Sequence, residues 1–383
     1  MKNYKIVFAS NTSFSLYNFH YGVMKYLGND GFEVIAVAPK DEYSDLLSKE
    51  FKFFEIKNLD RKGINPVKDF ILFLEYVKIY KTVKPDLIFS YTIKPNIYGS
   101  IACRFLKIKY INMLTGLGYI FIKENLLTKF IEKLYKIAFR RSYKVLFLNR
   151  DDMRLFVNKE ILPENKAMLL KSSGINTVYF SLDFCKKEEK NGGKFIFLMI
   201  ARLLWDKGVK EFIEAGKIAK SKYSNVELWL LGPIDKGNPS AVPENMVKEW
   251  EKERTVKYLG VSSDVRDYIC AADVVVLPSY REGVPRSLLE AMAMEKPIIT
   301  TDTSGCRDVC RNGENCLLVS VKDEAALSEA MINMVEAGDN GRKRMGQKGR
   351  NIVLEEFDEN LIIQKYMELV TEIFNNAENL TLH

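Results

Sequence analysis

The stretch VVVLPSYREGVPRSLLEA, residues 274–291, reads as a strand, a loop and a helix. Its opening run, VVVLPS, is apolar without alternation, the pattern of a strand in a parallel sheet covered on both faces. Pro285 suits the first turn of a helix, and the helix ends before Pro297. Glu282 falls in the loop just past the strand, and Glu290 lies inside the helix.

The same unit recurs along the chain. In the first half, strands are expected at 4–9, 32–39, 51–56, 86–92, 109–114 and 144–149, with helices at 16–28, 66–83, near 95–106 and about 125–141. The pattern pauses at SLDFCKKEEKNGG, 181–193, which is charged, glycine-ended and without period, as an interdomain linker is. It restarts with strands at 195–201, 226–232, 256–260, 274–279, 297–301 and 316–321. The reading is α/β, with two Rossmann-like, doubly wound domains at 1–185 and 186–383. A chain of 383 residues is too long for one small core, which agrees. The last amphipathic pattern, about 359–374, is expected to pack back toward the N-terminal domain.

Composition narrows the function. Hydrophobic residues make up 47% of the chain and aromatics 12%, enough for real cores. No apolar run approaches the ~20 residues of a membrane span, and the N-terminus lacks the pattern of a signal peptide; the expected location is the cytoplasm. The cysteines at 103, 185, 270, 306, 310 and 316 form no C-x-x-C pair, and the only histidines are His20 and His383. Reduced thiols are expected, with no zinc site. Residues 1–185 hold 29 Lys+Arg and 18 Asp+Glu, a net +11; residues 186–383 hold 28 and 32, a net −4. A basic half beside an acidic half points to an anionic ligand or surface. On charge alone nucleic acid and anionic lipid are equal, but no helix-turn-helix or aromatic reading element is present, which disfavours nucleic acid.

Doubly wound sheets bind ligands beyond the carboxyl ends of their strands. Three such places stand out in the second half. Arg202 follows its strand directly, and Lys207 stands at the start of the next helix; this is either a diphosphate grip or a pair of solvated cations. Glu282 and Glu290 are either acceptors for sugar hydroxyls or surface acids. Gly232 and Gly260 end strands, either for a ligand's close approach or for the turn itself.

Taken in order, A-R-x3-x-K-G (201–208), the strand before Gly260, and E-G-x-P-x-S-x-x-E (282–290) resemble the donor domain of glycosyltransferase family 4, over almost the whole chain. The resemblance implies the GT-B architecture, two domains facing across a cleft, and metal-independent transfer with retained anomeric configuration and no cofactor beyond the donor substrate. It implies that Arg202 and Lys207 hold the donor diphosphate and that Glu290 binds the ribose. Glu282 would contact the transferred sugar, Gly283 and Val284 would offer backbone amides, and the backbone near Leu259 would meet the base. No D-x-D metal motif is present. The runs LMIARLLWDKGVKEF (198–212) and YTIKPNIYG (91–99) are similar to bacterial members that assemble glycans on a lipid carrier. These imply a UDP-N-acetylhexosamine donor, N-acetylgalactosamine foremost, and a polyprenyl-diphosphate-linked sugar acceptor. Alternatives are a surface-polysaccharide transferase with another UDP-sugar, a non-transferring UDP-N-acetylglucosamine 2-epimerase, or an inactive nucleotide-sugar-binding subunit.

The N-terminal half is expected to bind the acceptor. Its first crevice loop offers Ser10, Asn11, Thr12 and Ser13, where many relatives have glycines; these residues either donate to the ligand or cap the following helix. A second loop offers Thr115 and Gly116 in TGLG, 115–118, without the histidine many relatives carry. His20 fits a packed helix position. Residues 121–141 mix apolar and basic residues at helical spacing, with Phe130, Leu134 and Ile137 on one face flanked by Lys129, Lys133, Lys136 and Arg140. This is either an interfacial membrane helix or a core helix with a basic face, and the domain's charge tilts toward contact with the anionic inner face of the bacterial plasma membrane.

Overall fold

A computed structural model describes residues 4–60, 63, 65–117, 126–185 and 191–381, with side chains not described at 191 and 376–381. The chain forms two compact units, Met1–Gly174 with Glu359–His383, and Ile175–Asp358.

The first unit holds a seven-stranded parallel sheet. Its strands are β1 (Lys5–Ala9), β2 (Glu33–Ala38), β3 (Lys52–Glu55), β4 (Leu87–Tyr91), β5 (Lys109–Leu114), β6 (Val145–Phe147) and β7 (Ala167–Leu169), in spatial order β3-β2-β1-β4-β5-β6-β7. The central β4 is buried along its length and the edge strand β3 is not, as the apolar run LIFSY and the mixed KFFE dictate. β7, three half-buried residues, is too short to show in the sequence. The second unit holds β8 (Phe195–Ile200), β9 (Val226–Leu231), β10 (Lys257–Tyr258), β11 (Val274–Leu277), β12 (Ile298–Thr301) and β13 (Cys316–Val319), in order β10-β9-β8-β11-β12-β13. In each sheet the strand order reverses once, between β1 and β4 and between β8 and β11, the place where doubly wound sheets bind ligands.

Local chemistry places the helices. Pro66 opens the helix Pro66–Val83 behind an Asn65 cap that accepts the Val67 and Lys68 amides at 3.0 and 3.2 Å. The closing helix Glu359–Thr381 packs on the first unit: Phe374 stacks on Tyr4 at 4.0 Å between ring centroids, and the Tyr366 and Tyr91 hydroxyls lie 3.2 Å apart.

The division falls ahead of residue 185, the boundary expected from the sequence. Ile175 bridges Asp358, and the Arg350 guanidinium donates to the carbonyls of Phe180 and Thr177 at 3.0 and 3.1 Å. Buried Ile175 and Phe180 join the core of the second unit, so the segment after Gly174 is already part of it. Residues 186–190 of the expected linker lie outside the described residues.

The cysteine expectation is corrected. Folding brings Cys185 to Cys270 and Cys310 to Cys316, with Cα separations of 5.5 and 5.6 Å, and both pairs are disulfides; Cys103 and Cys306 are free and buried.

At the β8/β11 reversal the two crevice loops touch backbone to backbone. Gly208 adopts φ +78°, and a Cβ there would stand 2.1 Å from the Pro278 carbonyl oxygen. Gly208→Ala is therefore expected to lower the Tm by about 4–8 °C, the effect of roughly 2 kcal/mol in a domain of this size. Gly260, at φ +72° with open space around it, is the control: an equal drop in Gly260→Ala, read by calorimetry, would show that the dihedral and not the close approach matters.

Candidate functional site

The crevice of the second unit is built from the loops that follow β8 and β11. The turn Trp205–Lys207 ends in Gly208, whose left-handed conformation starts the helix Val209–Lys222. The Asp206 carbonyl accepts the Tyr280 amide at 2.9 Å and the Ser279 hydroxyl at 3.2 Å, which ties one loop to the other. Lys207 and Glu282 are thereby brought together, Nζ to Oε1, at 2.5 Å, with side chains only 14% and 15% exposed. The Glu282 amide donates to the Ser304 carbonyl at 3.2 Å, fixing the acid from the β12 side. Cys306 lies beneath the pair. Burial pushes its thiol up to about 12, Glu282 adding and Lys207 opposing. One of the three ammonium protons of Lys207 serves Glu282.

Arg202 leaves β8 on the other side. Its Nη1 lies 2.9 Å from Asp235 Oδ2, and the guanidinium side chain is half exposed. Asp235 stands in the loop after β9, held by a 3.2 Å hydrogen bond from Asn238 Nδ2. Sequence reading passed over Asp235. The available signal was an acid three residues beyond Gly232, but its meaning depends on β9 lying beside β8. Gly232 itself resolves in favour of packing: its amide donates to the Gly260 carbonyl at 2.8 Å, and a Cβ would stand 1.9 Å from the Ala201 carbonyl oxygen.

Glu290 lies in the helix Arg286–Ala293 and accepts Arg286 Nε at 2.8 Å. Burial pushes its carboxyl above the ordinary value, the Arg286 charge pulls against it, and Asp264 adds to it. Asp264 belongs to the loop after β10, where Arg266 clasps it at 2.6 Å and stacks on Tyr179 and Phe184 at 3.6 and 3.9 Å. Leu259, just past β10, donates its amide to the Leu230 carbonyl at 2.8 Å. Half-buried Gly283 and Val284 complete the loop ahead of Pro285, the helix cap. Leu259, Asp235, Arg202, Lys207 and Glu282 thus follow the carboxyl ends of β10, β9, β8 and β11, four neighbours in the sheet.

The first unit uses its crevice loop differently. Thr12 caps the helix Ser13–Asn29 by accepting the Ser15 amide at 3.1 Å, and Ser13 donates to the Pro39 carbonyl at 2.8 Å while accepting from Ser44 at 2.9 Å. Both hydroxyls therefore serve the fold. Ser10 is fully buried, its hydroxyl unpartnered among the described residues, and Asn11 is half-buried. Thr115 and Gly116 are half-buried past β5; Gly118 and the first part of the expected basic helix, 121–125, lie outside the described residues. His20 packs as a helix residue, stacked on Tyr91 at 3.7 Å. Two features went unread in the sequence. Thr92, directly after β4, has φ +67°, a conformation β-branched residues rarely hold, and Pro95–Gly99 forms a π-helical turn. Behind them Asn112 Nδ2 donates to Asn96 Oδ1 and Ser100 Oγ at 3.0 and 2.7 Å. Among the described residues no group of three His, Cys, Asp or Glu side chains could hold a metal ion.

Comparison with known proteins agrees with this geometry. The family described as glycosyl transferases group 1 matches residues 182–352, and the one described as glycosyl transferase 4-like matches residues 5–149. The chain is 33% identical to the N,N'-diacetylbacillosaminyl-diphospho-undecaprenol alpha-1,3-N-acetylgalactosaminyltransferase of Campylobacter jejuni, over 97% of this chain and 100% of that one. It is 23% identical to the UDP-Gal:alpha-D-GlcNAc-diphosphoundecaprenol alpha-1,3-galactosyltransferase of Escherichia coli, over 91% and 92%. Among solved structures, a glycosyltransferase from Rickettsia africae superposes with a TM-score of 0.81 at 21% identity, covering 98% of this chain and 100% of that one. Anabaena HepE in complex with UDP superposes at 0.78 with 17% identity, covering 96% and 100%. With both sheets matched in fold, both halves matched by family, and a third of its residues shared with one transferase from end to end, the protein is an enzyme of the GT-B class and belongs to the group 1 glycosyl transferases.

Proposed function

We propose that this enzyme transfers an N-acetylhexosamine, N-acetylgalactosamine foremost, from a UDP-sugar to a sugar carried on a polyprenyl diphosphate, with retention and without a metal. The observation that carries the reading is the Lys207–Glu282 pair at the β8/β11 reversal with Arg202 beside it. The Campylobacter relative's name supplies the sugar and the lipid carrier. An α-linked product formed from an α-linked nucleotide sugar keeps its configuration. As the bond from C1 to the diphosphate breaks, charge develops on the leaving oxygen, where Lys207 and Arg202 supply fixed cations. The acceptor hydroxyl bonds to C1 on the same face and gives its proton to the departing diphosphate. Glu282 positions Lys207 and accepts from the transferred sugar; Glu290 accepts from ribose hydroxyls, and the loop around Leu259 meets the base. Ser10, Asn11, Thr115 and Gly116 lie along the acceptor side, with Thr12 and Ser13 shaping the loop behind them. A carrier lipid as acceptor places the enzyme peripherally on the cytoplasmic face of the bacterial plasma membrane; among the described residues no helix is long and apolar enough to cross it.

UDP release from a panel of UDP-sugars, with and without a polyprenyl-diphosphate-linked aminosugar, tests the reading. Release from one UDP-N-acetylhexosamine only when acceptor is present is expected. Epimer formation without acceptor would decide for an epimerase. Lys207→Ala should lower kcat about 100-fold or more, the usual cost of removing a charge aimed at a leaving group. Because that change strands Glu282, the double variant Lys207→Ala/Glu282→Gln is measured beside it. Recovery of turnover in the double variant would show that Lys207 serves stability alone.

Glu290 gives a pH-dependent prediction. A carboxyl whose pKa is raised in the folded state stabilises the fold while protonated. That contribution is full below the unfolded value, ordinarily 4.5, and is lost as pH rises through the raised folded value. Above the raised folded value the ionised group therefore costs stability relative to its protonated form. Glu290→Gln should match or exceed the wild-type Tm at neutral pH, the difference closing below about pH 4, while UDP affinity falls about tenfold for the lost charged acceptor. A calorimetric pH series with UDP titration reads both; lowered Tm with unchanged affinity would assign Glu290 to the fold.

A further inference from the structure

Right-handed crossovers place the helices that follow β3, β4 and β5 on one face of the first sheet. They are Pro66–Val83, Ser100–Leu106 and Leu126–Phe139. The three are continuous: Phe73 meets Phe105 edge-on at 6.4 Å, and Arg104 donates to the Ile137 carbonyl. Each turns a set of apolar residues inward, among them Leu72, Tyr76 and Val77, then Ala102 and Cys103, then Ile131 and Tyr135. Each also leaves large apolar residues in solvent. Phe70, Ile71 and Leu74 share the outer side of the first helix, Phe105 is 65% exposed on the second, and Phe130 and Ile137 stand out on the third. Single exposed apolar residues are ordinary; a set across three neighbouring helices is not.

Exposed charge on this face is predominantly positive, with half-buried Glu75 an exception. Lys68, Lys107, Lys129, Lys136 and Arg140 are exposed beside the apolar residues. The acids of the three helices are all engaged. Asp69 holds Lys94 at 2.6 Å and the Tyr98 hydroxyl at 2.9 Å, Glu75 accepts the amides of Lys57 and Asn58 at 2.8 and 3.0 Å, and Glu132 holds Lys159 at 2.7 Å. An apolar surface rimmed mainly by cations disfavours a second copy of itself and complements an anionic lipid surface. We infer that this three-helix face, and not the basic helix alone, docks the enzyme on an anionic bilayer, with Phe70 and Phe105 entering the headgroup boundary and the lysines meeting lipid phosphates. This deepens the reading of a membrane-borne acceptor and rests on it for the purpose of docking.

The full chain is sedimented with extruded vesicles of phosphatidylethanolamine and phosphatidylglycerol, and in parallel with phosphatidylcholine vesicles. Binding to the anionic vesicles is expected, weaker in high salt and on the neutral lipid. The double variant F70S/F105S should bind about tenfold less, and so should K129E/K136E, both keeping the wild-type melt and wild-type transfer to a water-soluble short-chain acceptor. Undiminished vesicle binding by both variants overturns the assignment, as does wild-type protein that stays in the supernatant. Self-association lost in F70S/F105S with vesicle binding unchanged overturns it in favour of a second copy. Vesicle binding that follows the expected pattern without transfer to any acceptor supports the docking face and counts against the transfer reading instead.

Discussion

The carbonyl of Asp206 is the hinge on which the candidate site hangs. It accepts from Tyr280 and Ser279 across the β8/β11 reversal, and Gly208 removes the side chain that would hold the two loops apart. With the loops locked, Lys207 and Glu282 need no reorganisation to meet. Pairing is what makes two opposite charges tolerable at such low exposure, since either alone would bear the cost of desolvation. A site preorganised by backbone contacts can present its cation where a leaving group's charge develops, which is the condition for electrostatic catalysis.

Around that fixed pair the other charges are held more loosely. Arg202 is half exposed and paired with Asp235, a carboxylate that suits its planar fork. Glu290 is the opposite case, its side chain 12% exposed against the Arg286 guanidinium, with an added acidic neighbour in Asp264.

The first unit repeats the architecture and spends its polar residues otherwise. Thr12 and Ser13 are bound into the helix start and the β2 loop. The departures from regularity gather after β4, at Thr92 and the Pro95–Gly99 turn, at the point where the strand order reverses. Behind this turn Asn112 donates to Asn96 and Ser100 and Asn96 donates to the Met113 carbonyl, while the buried Asn112 Oδ1 has no partner among the described residues. The outer helical face carries exposed cations beside exposed apolar residues.

Much of this was legible in the chain. Apolar runs without alternation marked the central strands, the helix over 66–83 was expected at the bounds it has, and Arg202, Lys207 and Glu282 stood out as residues lying just past expected strands. These are local signals, because side-chain periodicity and the position just past a strand depend on neighbouring residues. Tertiary structure alone decided the rest. Asp235 reaches Arg202 only because β9 lies beside β8, and Cys185 reaches Cys270 across 85 positions of sequence. Helix 66–83 shows apolar residues on both sides, and only its neighbours decide that Leu72 is core while Phe70 faces water. The closing helix was expected to return to the N-terminal domain, but the contacts that hold it there, with Tyr91, Tyr4 and Lys109, are tertiary. Strand order, crossovers and which apolar face finds a partner are properties of contacts between distant segments, and no window of sequence contains both sides of such a contact.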